Sequence, residues 1–196
     1  MKKIIYLSLC VILLMSLTSC WELKSVETLF ASAVTNDDIS KYEEFRMEVP
    51  FAKEYMPAID SLEGYTEISC SYQFTLMIFF ESRSLCLYVE YPEEIYEEKK
   101  EEAMSSYEFI DETVLYKSQY YSAPAEFKYG SYHLQTVATD FLVKKVAFIG
   151  FNDEMSRIAY CYFHDYDLDT FGTAEISEQE MITDFIDEFF YWNDNK

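Results

Sequence analysis

The clearest alternation of apolar and polar residues lies between positions 67 and 74. Its apolar members are Ile68, Cys70, Tyr72 and Phe74, and its polar members are Glu67, Ser69, Ser71 and Gln73. Successive side chains of a strand point to opposite faces of its sheet. The pattern therefore predicts a strand with one face in the core and the other in water.

Further strands are predicted in pairs. Two apolar runs in segment 75–91 surround the polar residues Ser82-Arg83-Ser84, which predicts a hairpin that turns at those three residues. Gly130-Ser131 is predicted to be a two-residue hairpin turn, because glycine readily adopts the positive φ that the first turn position needs. The runs 144–151 and 157–164 predict two more strands joined through the polar residues between them.

Apolar residues three or four positions apart predict helices elsewhere. A stripe of this kind predicts a short helix near residues 23–34, and segment 50–64 predicts a short helical stretch that ends at Gly64. Pro92 stands where a first helical residue would, and the helix formers after it extend this helix over 92–105.

The last predicted helix has the strongest signals. Ser177-Glu178-Gln179-Glu180 forms a capping box, and Ile176 and Met181 are placed as its hydrophobic staple. The apolar face that follows comprises Met181, Ile182, Phe185, Ile186, Phe189 and Phe190. A face of this width predicts that the helix packs on a sheet.

Together these elements predict an α+β fold in a single domain. Hairpins without long crossover helices favour an antiparallel sheet, and the helices at 92–105 and at the C-terminal end are expected to cover its inner face. We assign this domain to residues 51–196.

The first residues of the chain predict export. Ile4 to Leu17 is an apolar run behind Lys2 and Lys3, and it is shorter than the roughly 20 residues that a membrane-spanning helix needs. A charged start followed by a short apolar core is typical of a secretory signal.

The end of that run is more specific. Leu17-Thr18-Ser19-Cys20 resembles the lipobox of bacterial lipoproteins. The resemblance implies removal of residues 1–19 and attachment of diacylglycerol, with palmitate among its acyl chains, to the Cys20 sulfur. Two or more acyl chains hold a protein stably at a membrane. An ordinary signal peptide, cut at a nearby small residue, is the alternative.

This resemblance implies a lipid-anchored protein on the extracytoplasmic face of the cell membrane. Residues 20–50 then form a tether that includes the short helix. The formal net charge of −21 becomes −23 without Lys2 and Lys3, and such a charge disfavours nucleic acid and anionic lipid headgroups as partners. The excess negative charge is expected to keep the tethered domain solvated and away from the bilayer.

Composition indicates a folded domain. Half of the residues are hydrophobic and 18% are aromatic, which is inconsistent with disorder. The 18 tyrosines suit half-buried strand positions better than a surface for stacking sugars.

Cys70, Cys86 and Cys161 fit no zinc or CxxC pattern, and their odd number prevents complete pairing. We expect buried, unreactive thiols at these positions rather than a disulfide or a nucleophile.

Catalytic signatures are weak throughout the chain. The four glycines are isolated, so no phosphate-binding loop or dinucleotide fingerprint is present, and we expect no cofactor. The two histidines, His133 and His164, lie in no zinc-hydrolase motif. An envelope hydrolase that uses His133 or His164 with an acidic partner is the alternative to a non-catalytic domain.

One acidic segment resembles the opening of an EF-hand calcium loop. Asp165, Asp167 and Asp169 have the spacing of its first ligands, but Thr170 replaces the turn glycine and Ile176 replaces the closing glutamate. An acidic loop without metal is the favoured interpretation.

The sequence thus predicts an extracytoplasmic lipoprotein whose domain is a non-catalytic module. It would bind a small ligand or another envelope protein, and it would contact the membrane through the lipid on Cys20.

Overall fold

A computed structural model describes residues 31–77, 80–116, 121–139, 145–165 and 178–192. The strands in these ranges are β1 (Ala31–Asn36), β2 (Glu67–Met77), β3 (Phe80–Glu90), β4 (Val114–Tyr116), β5 (Tyr121–Ala123), β6 (Glu126–Tyr129), β7 (Tyr132–Val137), β8 (Lys145–Asn152) and β9 (Arg157–Asp165). The helices are α1 (Tyr42–Glu48), α2 (Ala52–Tyr55), α3 (Glu93–Ser106) and α4 (Glu178–Phe189), with short 3-10 turns at Ile39–Lys41 and Ile59–Ser61.

Seven of the described strands form one sheet, in the order β1-β2-β3-β9-β8-β7-β6. Every neighbouring pair in it is antiparallel. Strands β4 and β5 form a separate antiparallel pair. The predicted α+β class with an antiparallel sheet is therefore confirmed.

Side chains of the central strands supply two cores, one on each face of the sheet. On the first face Leu85, Ile149 and Tyr162 are buried together with residues of α1, α2 and α3. On the second face Phe148 and Phe163 are buried together with residues of α4. The two longest helices therefore lie on opposite faces of the sheet and not on one inner face.

The polar side of β2 is exposed at Glu67 but buried at Ser71 and Gln73, so the expectation that this side faces water is wrong for the second half of the strand. Ser71 is 2% exposed and Gln73 is 7% exposed. The Gln73 amide donates a 2.8 Å hydrogen bond to the carbonyl oxygen of Glu188 in the last turn of α4. Carbonyls in a last helical turn lack partners within their own helix, and a polar strand residue can satisfy them.

The turn predicted at Ser82-Arg83-Ser84 is also wrong, because all three residues lie inside β3. Met77 pairs with Phe80, so the chain reverses between these two residues. The Ser84 hydroxyl is buried and donates a 2.6 Å hydrogen bond to the carbonyl oxygen of Phe189. Ser84, in the middle of a strand, therefore satisfies a carbonyl at the end of α4 and does not form a turn.

The helix predicted over 23–34 is wrong for residues 31–34, which belong to β1, and residues 23–30 lie outside the described residues. Strand β1 pairs along β2, with Val34 opposite Phe74. Hydrogen bonding to an existing strand outweighs a weak helical periodicity here. Tyr42 and Phe45 of α1 are buried in the first core, so the folded region extends into the segment that the sequence assigned to the tether.

Other boundaries match the predictions closely. Helix α3 begins directly after Pro92 and ends at Ser106. Gly130 has a φ of 57°, and the flanking residues Tyr129 and Tyr132 pair with each other. Helix α4 begins at Glu178, while the predicted capping residue Ser177 lies outside the described residues.

Replacement of Phe185 tests how strongly α4 stabilises the fold. Its ring is 4% exposed and lies 4.9 Å from the ring of Phe163, centre to centre. We expect Phe185→Ala to lower the free energy of unfolding by about 3–5 kcal/mol, as for other buried aromatic residues. Denaturant unfolding measures this loss.

Asp184, an exposed neighbour on the same helix, provides the matched control. Asp184→Ala should change the free energy of unfolding by no more than about 0.5 kcal/mol. A loss below about 1 kcal/mol for Phe185→Ala would contradict the packing of α4 against the sheet.

Candidate functional site

A cavity of about 230 Å³ lies on the first face of the sheet, between α3, the segment 57–63 and strand β9. Its lining residues are Pro57, Ser61, Leu62, Glu63, Tyr91, Lys99, Glu102, Ala103, Ser106, Tyr107 and Tyr160. Because three of these eleven residues are tyrosines, we call the cavity the tyrosine pocket.

The three tyrosines reach the pocket from different elements. Tyr160 lies on β9, where its neighbours are Leu87 of β3 and Ile149 of β8, so it forms part of the pocket floor. Tyr91 follows β3, and its backbone N–H donates a 2.9 Å hydrogen bond to the carbonyl of Ser156. Tyr107 follows α3, and its ring centre lies 6.2 Å from that of Tyr160 at an interplanar angle of 50°.

Hydrogen bonds from α1 hold the outer wall of the pocket in place. The Tyr42 hydroxyl donates to the carbonyl of Pro57 at 2.7 Å. The Glu43 carboxylate accepts from the backbone N–H of Ile59 at 2.9 Å. These bonds position the segment 57–63 before any ligand arrives.

Gly64 follows this wall in a left-handed backbone conformation. Its φ is 80°, and a Cβ atom at this position would lie 2.9 Å from Cδ1 of Ile95 on α3. A side chain here would therefore strain the backbone, although the flexible end of Ile95 could move to make room. The glycine that the sequence assigns to the end of a helical stretch thus allows the chain to turn between the segment 57–63 and β2.

The phenol groups of the pocket are neutral at physiological pH. Burial raises the pKa of Tyr91 to about 12 and that of Tyr107 to about 12. Burial also raises the pKa of Tyr160, and the nearby oxygens of Tyr91, Tyr107 and Glu102 add to this effect. The three hydroxyls can therefore donate as well as accept hydrogen bonds.

The charged groups of the pocket carry a net negative charge. Lys99 and Glu102 form a salt bridge of 2.9 Å on α3, and this hydrogen bond raises the pKa of Lys99. Glu63 contributes a second carboxylate to the lining. With one cation and two anions, the pocket favours a positively charged ligand over an anion.

The two histidines named by the sequence lie far apart. His133 is opposite Phe151 in the register, and His164 is opposite Lys145. The two partners are six residues apart along β8, which corresponds to about 20 Å. Neither histidine lines the tyrosine pocket.

Each histidine has a distinct environment. His133 is half-exposed, and its Nε2 lies 3.3 Å from a carboxylate oxygen of Glu126. His164 is 8% exposed, and the ring of Phe51 stacks against it at 6.0 Å between centres. The hydrolase alternative stays a prediction.

A row of basic residues crosses three strands near His164. Arg83 on β3 and Lys145 on β8 both lie opposite His164, so the three share one face of the sheet. Nζ of Lys145 lies 3.5 Å from the centre of the Phe51 ring, which is a cation–π contact. Arg83 pairs with Glu81 at 2.8 Å. The row depends on the strand register and cannot be read from the sequence.

The acidic segment is described only at its first residue. Asp165 ends β9 and is 1% exposed, while Asp167 and Asp169 lie outside the described residues. Within the described part of the chain, no group of three or more His, Cys, Asp or Glu side chains could hold a metal ion.

The three cysteines predicted to be buried are buried, and each carries a free thiol. Cys70 belongs to the core of the first face. Cys86 and Cys161 belong to the core of the second face.

Comparison with known proteins gives no relative from which a function could be transferred. No protein family, no curated protein and no solved structure matches this chain. Among the described helices, none combines the length and the apolar character needed to cross a membrane.

The raised tyrosine pKa values predict a loss of stability in alkali. In the unfolded chain a tyrosine ionises near pH 10, whereas Tyr91 and Tyr107 in the folded protein ionise at about 12. The folded state therefore binds more protons than the unfolded state in this window, so the free energy of unfolding should fall as pH rises from about 10 to 12. Denaturant unfolding at a series of pH values measures the slope.

Tyr91→Phe removes one of these ionisations and should make the slope shallower between pH 10 and 12. Tyr65, which is only partly buried, provides the control in Tyr65→Phe. Equal slopes for the wild-type protein and Tyr91→Phe would contradict the raised pKa of Tyr91.

Proposed function

We propose that this protein binds a small organic cation, such as a primary amine or a quaternary ammonium compound, in the tyrosine pocket. The observation that carries the proposal is the convergence of Tyr91, Tyr107 and Tyr160 on a cavity whose charged groups are net negative. Aromatic rings attract cations through the negative charge on their faces, and several rings together form the cages that recognise ammonium groups.

Size and chemistry support this ligand class. The volume of about 230 Å³ is below the roughly 300–1,000 Å³ of sites for drug-sized ligands, so the ligand should be small. The phenols are held in their neutral form by burial, and their hydroxyls can hydrogen-bond a polar group on the ligand. An anionic ligand would meet two carboxylates and only one ammonium group, and that ammonium is already paired with Glu102.

We further propose that the chain acts outside the cytoplasm as a lipid-anchored protein. The support is in the sequence: Lys2 and Lys3, the apolar run to Leu17, and Cys20 at the end of a lipobox-like segment. In this arrangement the helices cover the sheet of hairpins to make one soluble module, and the lipid on Cys20 holds that module near the membrane.

Binding of choline tests the ligand class. Isothermal titration calorimetry should detect choline binding, and the uncharged analogue with a tert-butyl group in place of the trimethylammonium group should bind at least about tenfold more weakly. A tenfold ratio corresponds to about 1.4 kcal/mol, within the range of a partly desolvated cation–π contact. Equal affinities for the two compounds would contradict recognition of a cation.

Two neighbouring glutamates on α3 provide a matched pair of variants. Glu102 lines the pocket, whereas Glu101 is exposed and does not. Glu102→Gln should weaken choline binding several-fold because it removes the net negative charge of the lining. Glu101→Gln should leave the affinity unchanged, and an equal loss in both variants would indicate a general effect of the protein's charge.

Lipid attachment is tested separately. Intact-mass analysis of the membrane fraction should show a chain that begins at Cys20 and carries acyl groups. Cys20→Ala should give uncut precursor or soluble protein. A mature amino terminus elsewhere, without acyl mass, would contradict the anchor while leaving the ligand proposal untouched.

A further inference from the structure

Two of the three buried cysteines face each other across neighbouring strands. Cys86 of β3 and Cys161 of β9 are direct partners in the antiparallel register. Both side chains belong to the core on the second face of the sheet, and the Cys86 thiol lies near enough to raise the pKa of Cys161 further than burial alone does. No local pattern predicts this pairing, because 74 residues lie between positions 86 and 161.

Direct partners in an antiparallel pair lie within the reach of a disulfide. Their Cα atoms are about 4.5 or 5.5 Å apart, depending on the type of pair. Disulfides span Cα distances of about 4.4–6.8 Å. Their Cβ atoms, about 4.5–5.5 Å apart, would need to approach to about 3.5–4.5 Å, so the bond would form with some strain.

Cys70 has no such partner position. It lies opposite Leu87, and its side chain belongs to the other core. The strand register therefore selects one pair out of three cysteines and provides the third as an internal control.

We propose that Cys86 and Cys161 form a redox site, a cross-strand disulfide made by exchange with a disulfide-bearing oxidant. This proposal rests on the proposed export only for the source of that oxidant, since disulfides persist in oxidising compartments outside the cytoplasm. The geometry of the pair is independent of export.

The reaction balances as an exchange between one disulfide and two thiols. One cysteine loses its proton, and its thiolate attacks the oxidant, forming a mixed disulfide and releasing one thiolate of the oxidant. The second cysteine then loses its proton, and its thiolate attacks the mixed disulfide and releases the second thiolate. The two released thiolates take up two protons, so the oxidant is reduced to two thiols as the cysteines are oxidised.

Helix α4 controls access to the pair. It packs on the same face of the sheet, and the carbonyl of Phe189 accepts a hydrogen bond from Ser84, two residues from Cys86. Burial also raises the pKa of the Cys161 thiol, so little thiolate exists while the helix is in place. Exchange therefore proceeds from states in which α4 has opened.

Tryptic peptides allow a direct test, because the three cysteines fall on three separate peptides. Cys70 lies in 54–83, Cys86 in 84–99 and Cys161 in 158–196. The full-length protein, purified from membranes, is incubated with glutathione disulfide, alkylated under denaturing conditions and digested. We expect 84–99 joined to 158–196 with the loss of two hydrogens, and an alkylated Cys70.

Substitutions test which cysteines form the disulfide and whether α4 limits the rate at which it forms. Cys70→Ala should leave the linked peptide unchanged, and Cys86→Ala or Cys161→Ala should abolish it. Phe185→Ala loosens α4 and should raise the rate of linkage at least about tenfold, since the population of opened states grows with each 1.4 kcal/mol of lost stability. Asp184→Ala should leave the rate unchanged.

The proposal would be overturned if Cys86 and Cys161 were alkylated separately after folded protein had been treated with the oxidant. A stable mixed disulfide with glutathione, or a link that includes Cys70, would overturn it as well. Export is judged apart from these results, by the acyl mass on Cys20. A linked pair in protein without acyl mass supports the redox site and contradicts the anchor.

Discussion

The fold depends on the burial of two adjacent strands on both of their faces. Strands β8 and β9 are neighbours in the middle of the described sheet, and all eight residues of β8 and all nine of β9 are buried. A strand in this position cannot leave one side in water, so each face needs its own cover. On the first face the cover consists of α1, α2 and α3, and on the second face it is α4.

This constraint explains three buried polar residues of the sheet. A buried polar group costs free energy unless it is hydrogen-bonded, and Gln73 and Ser84 meet this requirement at the carbonyls of the last turn of α4. Arg157, which is 4% exposed, meets it by pairing with Glu90 at 2.8 Å. Gln73 and Ser84, which interrupt a hydrophobic pattern, therefore join the helix to the sheet, and Arg157 joins two neighbouring strands.

The sequence predicted where helices and strands lie better than it predicted what each of them packs against. Alternation along β2 and the capping signals of α4 are local properties, so they could be recognised in a single chain. The assignment of Ser82 to Ser84 as a turn failed because polar residues are equally suited to a turn and to a buried helix terminus. The choice between these depends on α4, which lies about a hundred residues away. Strand β1 was missed because its stability comes from pairing with β2 and not from its own pattern.

The candidate site was beyond sequence reasoning for the same reason. Tyr91, Tyr107 and Tyr160 are three among 18 tyrosines, and no spacing distinguishes them. They meet because α3 packs on the first face of the sheet, where its C-terminal end and the end of β3 lie beside Tyr160 of β9. Composition suggested a protein rich in half-buried tyrosine, and the packing of α3 against the sheet decided which of them surround a cavity.

The position of α4 along the chain has a consequence for biogenesis. Every described strand of the sheet precedes this helix, so a ribosome makes these strands before the helix that covers their second face. Until residues 178–189 emerge, Phe148 and Phe163 remain without the helix they pack against. The nascent chain therefore exposes apolar surface of its sheet until α4 has been made, and exposed surface of this kind is what chaperones recognise.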